Sequence, residues 1–257
     1  MQVHKLRNSY ATIVRKETQR IFRIWPQTLM PPLITQSLYF LIFGAFIGSR
    51  VGIVGGVPYT VFIVPGLVMM SVVQNSFGHV VSSFFSAKFQ RSIEELMVSP
   101  TPNWVVLSGF VTGGVVRGVI TGVLVFIVSM VFARPMVAHL WAIVLFLLLA
   151  SLLFSLAGFL NGIFAKKFDD VTIFSVFVLV PLTYLGGVFY SIQQLPPFWQ
   201  AVSKANPIFY MVDGFRYGFF GVASIPLWES ITLLSIITVA LAGLNLFLLK
   251  KGTGMRQ

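Results

Sequence analysis

The stretch "VVLSGFVTGGVVRGVITGVLVFIVSMVF", residues 105–132, contains a single charged side chain, Arg117. A helix rises about 1.5 Å per residue, so a hydrocarbon core about 30 Å thick is crossed by roughly 20 apolar residues. This stretch crosses it with residues to spare. Five more runs without a Lys, Arg, Asp or Glu flank it, at 29–48, 59–80, 140–164, 171–190 and 230–249. The whole chain is 56% hydrophobic and 10% charged, against about a quarter charged in soluble domains. The expected fold is an all-α integral membrane protein, one transmembrane domain over 1–257 with six transmembrane helices.

An even number of spans puts both termini on one side. Basic residues are enriched in short cytoplasmic loops. The N-terminus, the loops after spans two and four and the C-terminal tail carry thirteen Lys and Arg, against four in the other loops (Arg50, Arg134, Lys204 and Arg216). Both termini are therefore expected in the cytoplasm. The same distribution accounts for the net charge of +11 through orientation and anionic lipid headgroups, without a nucleic-acid partner. Six basic residues precede the first apolar run, and no small-residue cleavage pattern follows it, so the sequence predicts an uncleaved N-terminus. The absence of cysteine excludes disulfides, thiolate metal sites and a thiol nucleophile.

Within 4–25, Tyr10, Ile13, Val14, Ile21 and Trp25 fall near one helical face and Arg15, Lys16, Gln19, Arg20 and Arg23 mostly on the other, which predicts an amphipathic helix in the cytoplasmic interface. In span three, Gly109 and Gly113, then Gly114, Gly118 and Gly122, recur at i and i+4. Span four has Ser151 with Ser155 and Gly158 with Gly162. Such strips let helix backbones approach closely, within one bundle or between protomers. Pro65 with Gly66 in span two and Pro181 with Gly186 and Gly187 in span five are expected to loosen their helices. The long loop before span six is aromatic where a solvated loop would be polar. Its Pro196, Pro197, Asn206 and Pro207 predict two short helices over 196–221, dipping back into the outer leaflet.

After span two, "FQRSIEELMVSPTP" (89–102) carries two of the chain's seven acidic residues. Phe85, Phe89, Ile93, Leu96 and Met97 make one stripe of a helix expected over 86–99, with Lys88, Arg91, Ser92, Glu94 and Glu95 opposite. A lipid-surface helix favours Lys and Arg on its polar face, so the paired glutamates point to a protein partner.

Together with "LNGIFAKKFDD" (160–170) and "PLTYLGGVFYSIQQLPPFWQAVSKANPIFYMVDGFRYGFFG" (181–221), this segment resembles the permease subunit of bacterial ABC-2 type transporters, in the YadH-like branch. The resemblance covers essentially the whole chain. It implies the ABC-2 exporter fold, with an interfacial helix, six spans and a re-entrant helical pair before the last, in the bacterial inner membrane. It further implies a homodimer bound to two ABC ATPase subunits, which hold ATP and Mg, leaving no cofactor on this chain. Phe89, Arg91, Ile93, Glu94, Glu95 and Leu96 would then belong to the ATPase-coupling helix. The pathway would lie between protomers, lined by spans two and five, with Phe198, Trp199, Phe209 and Tyr210 in the outer re-entrant gate. Relatives export polysaccharides, lipids and hydrophobic drugs, and an apolar path suits an amphiphilic or lipid-linked substrate.

The residues themselves narrow the alternatives. No G-x-x-x-x-G-K-[ST] loop is present, and no lysine follows a glycine. No acid lies within a span, which weighs against an ion-coupled secondary transporter, although His79 could relay a proton. No H-E-x-x-H motif or intramembrane carboxylate pair suggests catalysis. Arg117 is expected either in a structural, snorkelling position nearer the cytoplasmic surface or at the pathway or the dimer seam, partnered by a neutral group such as Gln74, Asn75, Asn161 or a carbonyl.

Overall fold

A computed structural model describes residues 2–93 and 101–252. Helix α1 (Gln2–Arg23) is followed after a break at Ile24 by α2 (Trp25–Val51), which widens into a π-helical stretch over Phe40–Ile47. Then come α3 (Tyr59–Phe89), α4 (Asn103–Phe132), α5 (Leu140–Phe164) and α6 (Phe168–Leu185). The short α7 (Pro197–Lys204) and α8 (Pro207–Phe220) precede α9 (Leu227–Lys251). Among the described residues, six helices, α2 to α6 and α9, are long and apolar enough to cross a membrane. A two-residue hairpin, Ile53–Val54 with Val57–Pro58, joins α2 to α3 through Gly55 and Gly56. Both glycines have positive φ, as such a tight turn requires. Ile13, Val105 and Leu249 share an apolar cluster, so α1, the start of α4 and the end of α9 lie together at what we term the terminal end.

The hub is α3, of whose most apolar stretch 83% is buried, against 17% for α2 and 11% for α6. Lipid is as apolar as leucine, so close approach of small residues, rather than water exclusion, selects neighbours here. The α4 glycines do this inside the protomer. Gly109 and Gly113 receive Ile13 and Glu17 of α1; Gly114, Gly118 and Gly122 receive Val80, Ser76 and Val72 of α3, with Ser155, Ser151 and Leu147 of α5. On α5, Gly158 lies against the Phe77 backbone and Gly162 against the Phe84 ring. Gly66 of α3 meets the backbone of Val188, just past the Gly186–Gly187 turn that ends α6. Span two is therefore packed mostly within the protomer, with Gln74 and Asn75 facing a cavity. Pro65 is accommodated within one continuous α3.

The expected cytoplasmic helix over 86–99 also begins differently. Helix α3 continues through Phe89, and the chain turns at Gln90 and Arg91, whose φ of 57° is the left-handed conformation common after a helix end. Lys88 does not face solvent. Its ammonium donates to the carbonyls of Ile163 at 2.9 Å and Ala165 at 2.7 Å, capping α5. The N-terminal helix is amphipathic as expected, yet its buried stripe, Ile13, Glu17 and Ile21, rests on protein, with Tyr10 Oη 2.9 Å from Thr112 Oγ1.

Candidate functional site

Prolines 31 and 32 have no N–H to give to the carbonyls of Gln27 and Thr28, four residues earlier in α2. The Thr28 carbonyl instead accepts from Arg117 Nη2 of α4 at 3.2 Å, and Asn75 Oδ1 of α3 accepts from the same nitrogen at 3.3 Å. The expected neutral partners of Arg117 are thus Asn75 and a carbonyl. Asn161 is not among them; its buried amide nitrogen has no hydrogen-bond partner among the described residues. Around the guanidinium lies a cavity of about 260 Å³ lined by Gln27, Thr35, Gln36, Gln74 and Asn75, besides the two prolines. Arg117 Nε and Gln36 Oε1 are buried with no hydrogen-bond partner among the described residues. No carboxylate among the described residues lies within ion-pair distance of Arg117.

One turn nearer the terminal end, Glu17 of α1 lies 3.2 Å from His79 Nε2 and accepts the Ser83 hydroxyl at 2.6 Å. Sequence reading missed Glu17, although its place between Ile13 and Ile21 on an apolar stripe marks a carboxylate that must find a partner. Burial alone pushes this carboxyl up; His79 and the Ser83 hydroxyl, with the charge of Arg20, outweigh burial and hold it below its ordinary 4.5. Stability from the contact is accordingly full above about pH 4.5 and is lost as pH falls through the lower folded-state value. Thermal midpoints in detergent, followed from neutrality to about pH 3, should show an acid limb for the parent that is shallower in Glu17→Gln. Identical profiles would remove Glu17 as its source.

At the terminal end, Phe89 and Phe168 are 59% and 56% exposed with ring centroids 5.1 Å apart, beside the exposed Arg91. Ile93 is buried against the α3–α4 core and is unavailable to a partner, contrary to its expected place in the coupling set. Glu94, Glu95 and Leu96 lie outside the described residues.

At the opposite end, Asn206 caps α8 by accepting from Ile208 N at 3.0 Å, while its amide donates to Leu182 O of α6 at 2.6 Å. Gly214 and Gly218 admit Phe146 and Ile143 of α5, fixing α8 along the first turns of that span. Arg216 donates to Gly187 O at 2.9 Å and lies 4.1 Å from the Phe62 ring centroid; Asp213 accepts from Ser224 N at 2.9 Å and Ile225 N at 3.2 Å. Neither residue was singled out in the sequence. The four gate candidates fall into two pairs. Phe198 and Trp199 are exposed on α7, whereas Phe209 is buried and Tyr210 is tied to Lys204 O at 2.9 Å.

The ABC-2 type transporter family model matches residues 8–220. Inner membrane transport permease YadH of Escherichia coli (strain K12) is 54% identical over 247 residues, covering 96% of each chain. Nodulation protein J of Rhizobium leguminosarum bv. trifolii is 24% identical over 200 residues, covering 74% of this chain and 72% of its own. With six apolar spans and a family match over most of its length, the chain belongs to the ABC-2 type transporter family, transport permeases rather than catalytic enzymes.

Proposed function

We propose that this chain is the permease subunit of an ATP-driven exporter in the bacterial inner membrane, paired with a second copy of itself and with two cytoplasmic ABC ATPase subunits that bind ATP and Mg. The observation that carries the reading is the aromatic surface at Phe89 and Phe168. Helix α3 has 31 residues and rises about 46 Å, so Phe89 projects well past a core about 30 Å thick. Exposed rings outside the hydrocarbon favour a protein partner. The terminal end is then the cytoplasmic one, and the turn at Arg91 leads into the segment carrying Glu94 and Glu95, which contacts the ATPase. Spans one and five, the least buried, join through Tyr39 and Tyr184, whose hydroxyls are 3.0 Å apart, and supply the dimer seam and pathway. Helices α7 and α8 form an outer re-entrant gate around Phe198, Trp199, Phe209 and Tyr210. The cargo is an amphiphilic or lipid-linked molecule, with polysaccharide and drug-like substrates in the same family range.

Mild detergent extraction and stoichiometry test this reading. An ATPase recovered in equal amount supports it; a chain that repeatedly purifies alone counts against it. Glu94→Lys with Glu95→Lys is expected to leave the spans folded while transport falls to background. Undiminished transport in that variant would remove the coupling assignment. The buried Glu17–His79 contact favours a second reading, an ion-coupled secondary transporter, for which the purified chain alone would move substrate down an imposed proton gradient.

A further inference from the structure

The Arg117 cavity has a depth, an opening and an unmet chemistry. Sixteen residues of α3 separate Tyr59 from Asn75, a rise of about 24 Å. With Tyr59, the first residue of α3 after the hairpin, set at the far boundary of a core about 30 Å thick, Asn75 and the guanidinium beside it lie about 6 Å from the terminal-end boundary. Trp25 of α2, half exposed, stands three residues before Thr28, as aromatic side chains do at headgroup level. The cavity opens sideways, because Gln27, Pro31 and Thr35, one stripe of α2, are exposed, while Thr28 and Gln36 are buried.

Inside the cavity, among the described residues, the buried Arg117 Nε–H has no acceptor, its charge no carboxylate and Gln36 Oε1 no donor. The Gln27 carbonyl has lost its helical donor to Pro31. A ligand satisfying all of these carries anionic oxygen together with hydroxyl or ammonium hydrogens. At about 260 Å³ the cavity is smaller than the 300–1,000 Å³ of pockets that enclose a drug-sized molecule. It accommodates a headgroup whose tails remain outside.

We propose that this cavity is a binding site for the phosphate headgroup of a lipid in the terminal-end leaflet, which enters laterally between Gln27 and Thr35. Arg117 pairs with the phosphate, and Gln36 accepts from the hydroxyl or ammonium group of the same headgroup. The site stands on its own geometry and holds whether or not the chain works with an ATPase.

Native mass spectrometry of the delipidated chain, titrated with phosphatidylglycerol, with phosphatidylcholine and with inorganic phosphate, tests this site. The parent chain should retain one phosphatidylglycerol in preference to phosphatidylcholine, and Arg117→Gln should weaken that retention about ten- to a hundredfold. Arg15→Gln with Lys16→Gln, on the exposed face of α1, should leave it unchanged. Gln36→Glu places a carboxylate in the cavity that holds the guanidinium; it should remain folded, by thermal midpoint, and still lose the lipid, which keeps the test decisive if Arg117→Gln misfolds. Equal retention in Arg117→Gln or in Gln36→Glu overturns the site. Inorganic phosphate that displaces phosphatidylglycerol at equal concentration overturns the lipid as its occupant and leaves a free-anion site.

Discussion

Gly158→Val is expected to deplete the membrane of folded chain, whereas Gly243→Val leaves both its level and its thermal midpoint close to the parent. A Cβ at Gly158 would stand 2.5 Å from the Phe77 carbonyl oxygen and 3.2 Å from Phe77 Cα, backbone atoms within the hub helix that have no rotamer to yield. A Cβ at Gly243 meets nothing within 4 Å. Overpacking against side chains costs about 1 to 3 kcal/mol, and separating α3 from α5 costs more, a large share of a marginal stability of about 5 to 15 kcal/mol. Quantifying both variants in membranes and by thermal unfolding in detergent checks the contrast. Comparable behaviour at the two positions would mean that the α3–α5 contact does not hold the bundle.

The second large effect is expected at Lys88. Its ammonium bonds two carbonyls at the end of α5, a favourable place for a cation. Lys88→Met keeps most of the stem and removes both bonds. Charge-assisted bonds contribute about 1.5 to 3 kcal/mol each, and water at this end recovers part of the loss, so a cost of about 2 to 4 kcal/mol is expected. The damage should be local to the α5–α6 connection. Trypsin should cleave at Lys166 or Lys167 several times faster in the variant, with a thermal midpoint lower by several degrees. Unchanged cleavage kinetics would show that the cap is dispensable.

What the sequence revealed and what it hid follow from the same physics. Six spans were legible because lipid imposes a length and a hydropathy that folding does not alter. Small residues on α4 and α5 announced close packing, but their spacing names no partner, and all of these contacts lie within the protomer. The stripe Phe85, Phe89 and Ile93 keeps helical period straight through the turn at Arg91, since period carries no record of a left-handed φ. The lack of any acid in a span limited Arg117 to neutral partners, Asn75 among them; it could not choose Asn75 over Gln74 or Asn161, because a polar residue in a span shows only that some partner is needed. Glu17 was legible as a carboxylate on an apolar stripe and was passed over. The roles of Arg216 and Asp213 depend on where α8 folds back, which no local pattern records.

One mechanical consequence follows from the contact between Gly66 and the Val188 backbone. From Gly66 to Phe89, α3 is an uninterrupted rod about 35 Å long. At its upper end Pro65 withholds the hydrogen bond that would stiffen the next turn. A lever of that length, swung about 3 Å at Phe89, tilts by only about 5° if pivoted at Pro65. Its fulcrum bears directly on main chain, with no flexible side chain between to absorb the load. Force applied at one face of the membrane thus arrives at the α6 turn on the other as a small rotation, without any helix having to unfold.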